Sequence, residues 1–286
     1  MTLSRRTLLT ASALAPLAGR AWAAPRTIVF PRAEQGGDRR DDYQVQLLLL
    51  ALGKSAPGAY AFEPHKVFML QERALHELET APGLDVVWTM TTAEREKSLL
   101  PIRVPLDRGL LGWRLLLVRQ DDERRFAAIN TPQALRPLRA GQGADWPDTG
   151  ILKAAGLPVE TTLTYGELFT RLAGGRIDYF PRSMLEVWNE AAAHSDDGLV
   201  VESHLALHYP AAMYFFIKRS DATFAADLRR GLDMALADGS MQVLFERHYG
   251  SAIRRAGLGR RTVIELKNPL LSPETPLDDR RLWFRP

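Results

Sequence analysis

Apolar residues recur along this chain in two alternating periods. Arg26 to Pro31 (RTIVFP) is a short β-branched strand, and Asp41 to Leu52 follows with Tyr43, Leu47, Leu50 and Ala51 on one helical face. Gly53 stands where a helix end favours a residue with positive φ. Tyr60 to Pro64 is a second strand, Phe68 to Glu79 a helix with Leu75 and Leu78 inward, and Asp85 to Met90 (DVVWTM) the next buried strand. Strands spaced by helices predict a parallel sheet with right-handed crossovers.

The rhythm breaks at Leu99. Leu99 to Leu106 and Trp113 to Arg119 (WRLLLVR) are extended runs separated by Asp107-Arg108-Gly109, with no helix between them. From Phe126 the alternation restarts. A helix over Pro147–Ala155 precedes a strand over Val159–Thr162, and a helix over Tyr165–Ala173 carries Tyr165, Leu168, Phe169 and Leu172 at i, i+3, i+4, i+7. A strand over Ile177–Phe180 and a helix over Ser183–Ala193 come next. Leu199 to His208 and Ala212 to Lys218 are again extended, and helices over Asp221–Ala237 and Met241–Tyr249 flank Gly239. The Arg- and Pro-rich residues 251–286 read as a loosely ordered tail.

Ahead of all this, Arg5-Arg6, an apolar run from Leu8 to Ala18 and Ala21-Trp22-Ala23 have the order of a secretory signal peptide over residues 1–23. Ser4 to Leu9 also resembles the twin-arginine export signal, although two adjacent arginines also suit an ordinary signal. The run is too short and interrupted (Ser12, Pro16, Gly19) for a bilayer span, which needs about 20 apolar residues. The net charge of +3 comes from 37 basic and 34 acidic residues, and Arg5, Arg6 and Arg20 all lie in the leader. The remainder is formally neutral, which removes any electrostatic case for nucleic acid or anionic membrane. There is no cysteine, so thiol chemistry, thioether haem attachment and disulfides are excluded, and an apolar core must carry stability.

Two βα units, paired extended crossings, a βα insertion and a return describe two lobes, and here the sequence resembles the periplasmic solute-binding proteins of the second type, in their amino-acid-binding (family 3) branch. The likeness covers about residues 26–250. It is most specific over Leu110 to Arg114 (LLGWR), Leu138 to Thr149 (LRAGQGADWPDT), Tyr165 to Phe169 (YGELF) and Gly175 to Arg182 (GRIDYFPR), a set similar to a divergent proteobacterial subfamily. The resemblance implies an α/β fold with a ligand cleft between lobe one (26–118 plus 210–250) and lobe two (119–209). It implies a periplasmic monomer that takes up a small polar solute without a cofactor and serves an ABC permease or a membrane sensor.

Three loops follow strand carboxyl ends and so face such a cleft. Trp88 to Thr92 offers Thr89 and Thr91; Gly141 to Asp148 offers Gly143, Asp145 and Trp146; Tyr179 to Arg182, with Glu186 one turn on, offers both charges beside a ring. Each has a structural alternative. Gly141 and Gly143 suit a simple turn as well as an anion cradle, and Trp146 suits a core as well as a cleft wall. Family members hold an α-carboxylate on this loop, but Asp145 and Asp148 already supply negative charge to the positive helix end, which leaves room for a ligand amine at Asp145. Where the family has an acidic residue after Gly-Arg-Ile-Asp, this chain has Pro181-Arg182; Arg182 could pair a ligand anion or Glu186 at i+4. Pro181 also argues against Arg182 lying within a regular strand. Glu202 and His204 fit a strand-solvating role, and Tyr209-Pro210 sits near the hinge, where packing serves equally well as a function.

Catalysis is the weaker reading. No histidine pair has metal-ligand spacing on a helix face, and His204 and His208 would stand about 13 Å apart along a strand. No G-x-S-x-G, S-x-x-K or Walker motif occurs. A binding protein rather than an enzyme is expected, although the fold itself hosts some enzymes.

Overall fold

The computed structural model describes residues 24–32 and 42–286. The expected export signal therefore lies outside the described residues. The first half opens with β1 (Arg26–Phe30), α1 (Asp42–Ser55), β2 (Tyr60–Pro64), α2 (Gln71–Thr80), β3 (Val86–Met90), α3 (Arg95–Ser98) and β4 (Leu99–Ile102). After the crossing come β5 (Trp113–Arg119), α4 (Pro132–Leu135), β6 (Ala140–Gly143), α5 (Pro147–Ala154), β7 (Val159–Thr162), α6 (Tyr165–Ala173), β8 (Phe180–Ser183), α7 (Val187–Ala193), β9 (Leu199–Val201) and β10 (Leu205–His208). The chain then returns through β11 (Met213–Lys218), α8 (Ala222–Ala237) and α9 (Ser240–Ala256), and closes with β12 (Thr262–Glu265). Among the described residues no helix is long and apolar enough to cross a membrane.

Two sheets result. In the first, β11 runs antiparallel between β3 and β4, and the parallel pair β1–β2 abuts β3 where the Asp85 amide donates to Val29 O at 2.9 Å. In the second, β5 is the spine. It pairs with β8 on one edge and with β9 and β10 on the other, while β6–β7 joins through the Ala140–Tyr179 bridge. The run WRLLLVR becomes β5 because both its faces are covered: Leu115 and Leu117 enter one core cluster, Leu116 and Val118 another. Expected at the end of the first half, β5 is hydrogen-bonded wholly into the second sheet, so the first crossing precedes Trp113. That crossing turns at Asp107, whose buried carboxylate accepts from the amides of Gly109 (3.1 Å) and Leu111 (2.7 Å).

Several expectations need correcting. The first helix runs past Gly53 to Ser55. Pro181 and Arg182 lie inside β8, opposite Leu116 and Leu115. Pro181 is tolerated because its carbonyl faces away from β5, accepting from Gln142 Nε2 at 3.3 Å, so the ladder to β5 does not need its missing N–H. The run over Leu199–His208 is split where Glu202 turns back to accept from the amides of His204 and Leu205, both at 2.6 Å. Glu202 is thus buried as a turn cap rather than solvating a strand.

The expected loose tail is built in. Helix α9 extends to Ala256, and β12 adds a parallel strand to β10 at the edge of the second sheet. The chain then crosses back. Leu270 O accepts from the Ala93 amide at 2.8 Å, Glu274 pairs with Arg103 at 2.9 Å, and the Phe284 amide donates to Arg108 O at 2.7 Å. The C-terminal segment is therefore a third connection between the sheets, contacting both sides of the hinge.

Candidate functional site

Between the sheets lies a cleft of about 290 Å3, near the lower end of the range for small-molecule sites, about 300–1,000 Å3. The first sheet supplies Trp88 and Thr89 from the carboxyl end of β3, with Phe68 to Leu70 ahead of α2 and Gln71 at its start. The second supplies Gly143, Asp145 and Trp146 from the loop between β6 and α5, Arg182 from β8, and Glu186. Asp145 and Trp146 follow the carboxyl end of the parallel strand β6, where open α/β sheets place their sites, whereas β3 and β8 reach the cleft from antiparallel ladders.

Two buried arginines organise the second wall. Arg114 Nη2 meets Asp148 at 2.6 Å and its Nε donates to Tyr209 Oη at 2.9 Å, while Tyr209 donates in turn to Asp148. Arg182 Nε reaches both oxygens of Glu190 at 2.9 Å, and its Nη2 reaches Glu190 at 2.7 Å and Glu186 at 2.9 Å. Tyr165 donates to the same Glu190 at 2.6 Å. Arg182 also lies 4.9 Å from the ring centres of Trp146 and Phe180, within cation–π range. Burial lowers the proton affinity of both guanidiniums, but the facing carboxylates more than offset it and leave each above its ordinary value. Burial pushes the Tyr209 phenol well up, so it stays a protonated donor.

Of the expected site residues, Thr89, Gly143, Asp145, Trp146, Arg182 and Glu186 line this one cleft. Thr91 and Tyr179 do not. Thr91 follows the end of β3, so the strand alternation that would align it with Thr89 stops short; its hydroxyl turns inward and donates to Glu96 at 2.5 Å. Tyr179 is fully buried against Phe126 on the far face of the second sheet. Alternation along β8 places residues 180 and 182 on one face and 179 and 181 on the other, so Tyr179 and Arg182 cannot both reach the cleft.

The glycine loop uses several of its amides internally. The amides of Ala144, Trp146 and Thr149 donate to Thr162 O (2.9 Å), Gly143 O (3.2 Å) and Trp146 O (3.1 Å), and Pro147 has no N–H. A Cβ on Gly141 would sit 2.2 Å from Ile177 and one on Gly143 2.6 Å from the Trp146 ring, so both glycines serve close packing. Arg114, Leu111 and Leu163 also line the cleft without having been expected there. Arg114 had a signal in the sequence: a cation inside an otherwise apolar strand needs a buried partner.

His204 and His208 are engaged separately, His204 with Thr262 at 3.3 Å and His208 with Glu265 at 2.7 Å while stacked on Trp113. Among the described residues no cluster of His, Asp or Glu is arranged to hold a metal ion.

No protein-family model matches the chain, and no curated protein matches it by sequence. Solved structures do match. A probable amino-acid ABC transporter extracellular-binding protein from Bacillus subtilis is 21% identical with a TM-score of 0.58, covering 79% of this chain and 98% of its own. A periplasmic His/Glu/Gln/Arg/opine family-binding protein from Silicibacter pomeroyi, in complex with lysine, gives 12% and 0.57, covering 79% and 97%. A histidine kinase sensor domain with similarity to periplasmic binding proteins gives 16% and 0.58, again covering 79% and 97%. Nearly the whole of each neighbour is matched while about a fifth of this chain lies outside it, and what they share with it is the two-lobed α/β fold of periplasmic amino-acid-binding proteins.

Proposed function

We propose that this chain is an exported binding protein that reversibly captures a small polar solute, an amino acid or a related organic acid or amine, between its lobes. The observation that carries the reading is the cleft itself, lined from both sheets by aromatic rings and a few convergent polar groups. The lobes would close about the crossings at residues 103–112 and 209–212. Delivery to an ABC permease is favoured, because binding proteins of this fold include a probable transporter component. A sensory role is the second reading, supported by the kinase sensor domain of the same fold. The arginine pair at positions 5 and 6 and the apolar run after it support a periplasmic location.

No reaction is part of the proposal. Of the three threonines lining the cleft, Thr89 donates to Gln71 and Thr162 to Thr164 O, both neutral acceptors, so neither of these two hydroxyls is activated by a base. A thermal-shift screen against a solute library tests the reading. A true ligand at 100 times its Kd should add about 2.7 kcal/mol of stability, and a library in which no solute moves the melting point would remove the proposal.

A further inference from the structure

We infer that the cleft selects an organic cation on an apolar body, an amine or guanidinium group without a neighbouring carboxylate, over a zwitterionic amino acid; the inference rests on the capture reading above. An amino acid needs a partner for its carboxylate, and the charge of each buried cation here is already balanced by the protein. Arg114 is held by Asp148, and Arg182 by Glu190 and Glu186. An incoming carboxylate would have to share a guanidinium only 3% or 4% exposed with the protein carboxylate that already balances it, and displacing that carboxylate would leave it buried and uncompensated. At the start of α5 the amides of Ala144, Trp146 and Thr149 donate within the protein, and those of Asp145 and Asp148 belong to residues whose acidic side chains repel a carboxylate. Arg95 stands behind Thr89, donating to its Oγ1 at 3.0 Å, and pairs with Glu72.

The charges lining the cleft balance, Asp145, Asp148 and Glu186 against Arg32, Arg114 and Arg182, and Glu190, pairing with Arg182 from behind that lining, adds a further carboxylate. Asp145 is half-exposed on the cleft wall and makes no ion pair among the described residues. The same cleft is apolar at both lips, where Phe68 (41% exposed) and Leu70 (52%) on one side meet Leu163 (78%) on the other. Carboxylates beside rings and aliphatic lips suit an ammonium or guanidinium head with an apolar stem. The protein's own Arg182, 4.9 Å from the Trp146 ring, shows that this ring takes a cation.

Matched pairs that differ only by the carboxylate separate the possibilities: agmatine with arginine, putrescine with ornithine, phenethylamine with phenylalanine, and histamine with histidine. Calorimetry on the mature protein should find at least one amine bound about tenfold or more tighter than its amino acid, the difference expected from one unpaired buried carboxylate. Glu186→Gln and, independently, Asp145→Asn should each weaken that amine several-fold. Among the described residues Asp145 has no ion-pair partner whose loss would destabilise the fold. Tighter binding of the amino acid in every pair that binds, or binding of anionic solutes only, would overturn the inference and leave the capture reading standing. Failure of these pairs and of the wider library to bind would overturn both.

Discussion

The carbonyl oxygen of Tyr209 lies 2.0 Å from where a Cβ on Gly112 would sit. The two residues belong to opposite crossings, and the Tyr209 amide returns a hydrogen bond to Gly112 O at 3.2 Å. Tyr209 also holds Arg114 and Asp148, so the contact that sets the distance between the crossings shares a residue with the charge network of the cleft. Hinge spacing and site geometry are coupled through this pair.

Gly112→Ala should therefore push the crossings apart. Overpacking of this kind costs about 1–3 kcal/mol, and in a domain of this size each kcal/mol lowers the melting temperature by about 2–4 °C. Thermal denaturation measures the loss, and a variant that melts with the wild type would show that the crossings slide freely past each other.

Removing one member of the buried Arg182–Glu190 pair should cost more. Glu190→Ala leaves a 4%-exposed guanidinium with only Glu186, and loss of one buried partner costs about 3–5 kcal/mol. Pairing Arg182→Met with Glu190→Leu removes both charges and should recover most of that stability. Urea titrations of the single and double variants check it. Equal destabilisation by both would mean that the site is held by packing rather than by charge balance.

Asp107 sets a pH dependence at the hinge. Burial raises its carboxyl to about 6, against the lowering effect of the backbone amides of Leu111 and Gly109. The fold thus holds a proton that the unfolded chain releases near pH 4, so this group's contribution falls as pH rises from about 4 through 6, by at most about 3 kcal/mol. Asp107→Asn cannot ionise, and the wild type's stability advantage over it should shrink across that interval. Melting curves at pH 4, 5, 6 and 7 test this, and a constant difference would place the carboxyl outside that range.

The C-terminal segment should matter despite its composition. Trp283 packs against Gly109 at the hinge turn, and its Nε1 donates to Pro276 O at 2.8 Å. Trp283→Ala should cost about 2 kcal/mol, less than the 3–5 kcal/mol of a fully buried tryptophan because the ring is only partly covered. Brief proteolysis should spare the wild-type C-terminus and trim the variant.

Much of this architecture was readable in the chain because its periods are strong. Helix α6 and strands β2, β7 and β5 fall where their apolar spacing puts them. Most of the departures share one cause, since strand pairing is a long-range property. Nothing near Thr262–Glu265 says that β10 lies open to receive it, and nothing near Pro181 says which edge of β8 needs no N–H. At the site, loop positions predicted six lining residues, but pairing could not be read. That Arg182 is committed to Glu190, eight residues on and across a turn, follows from how α7 packs on β5 and not from the spacing.

Reversible capture is tested most directly by NMR of the best-stabilising solute with the mature protein, followed by dialysis. One solute bound per chain, with line broadening reversed on dilution and every molecule recovered chemically unchanged, is the predicted result. Conversion of the solute to a new species, or no binding by any solute at millimolar concentration, would contradict it.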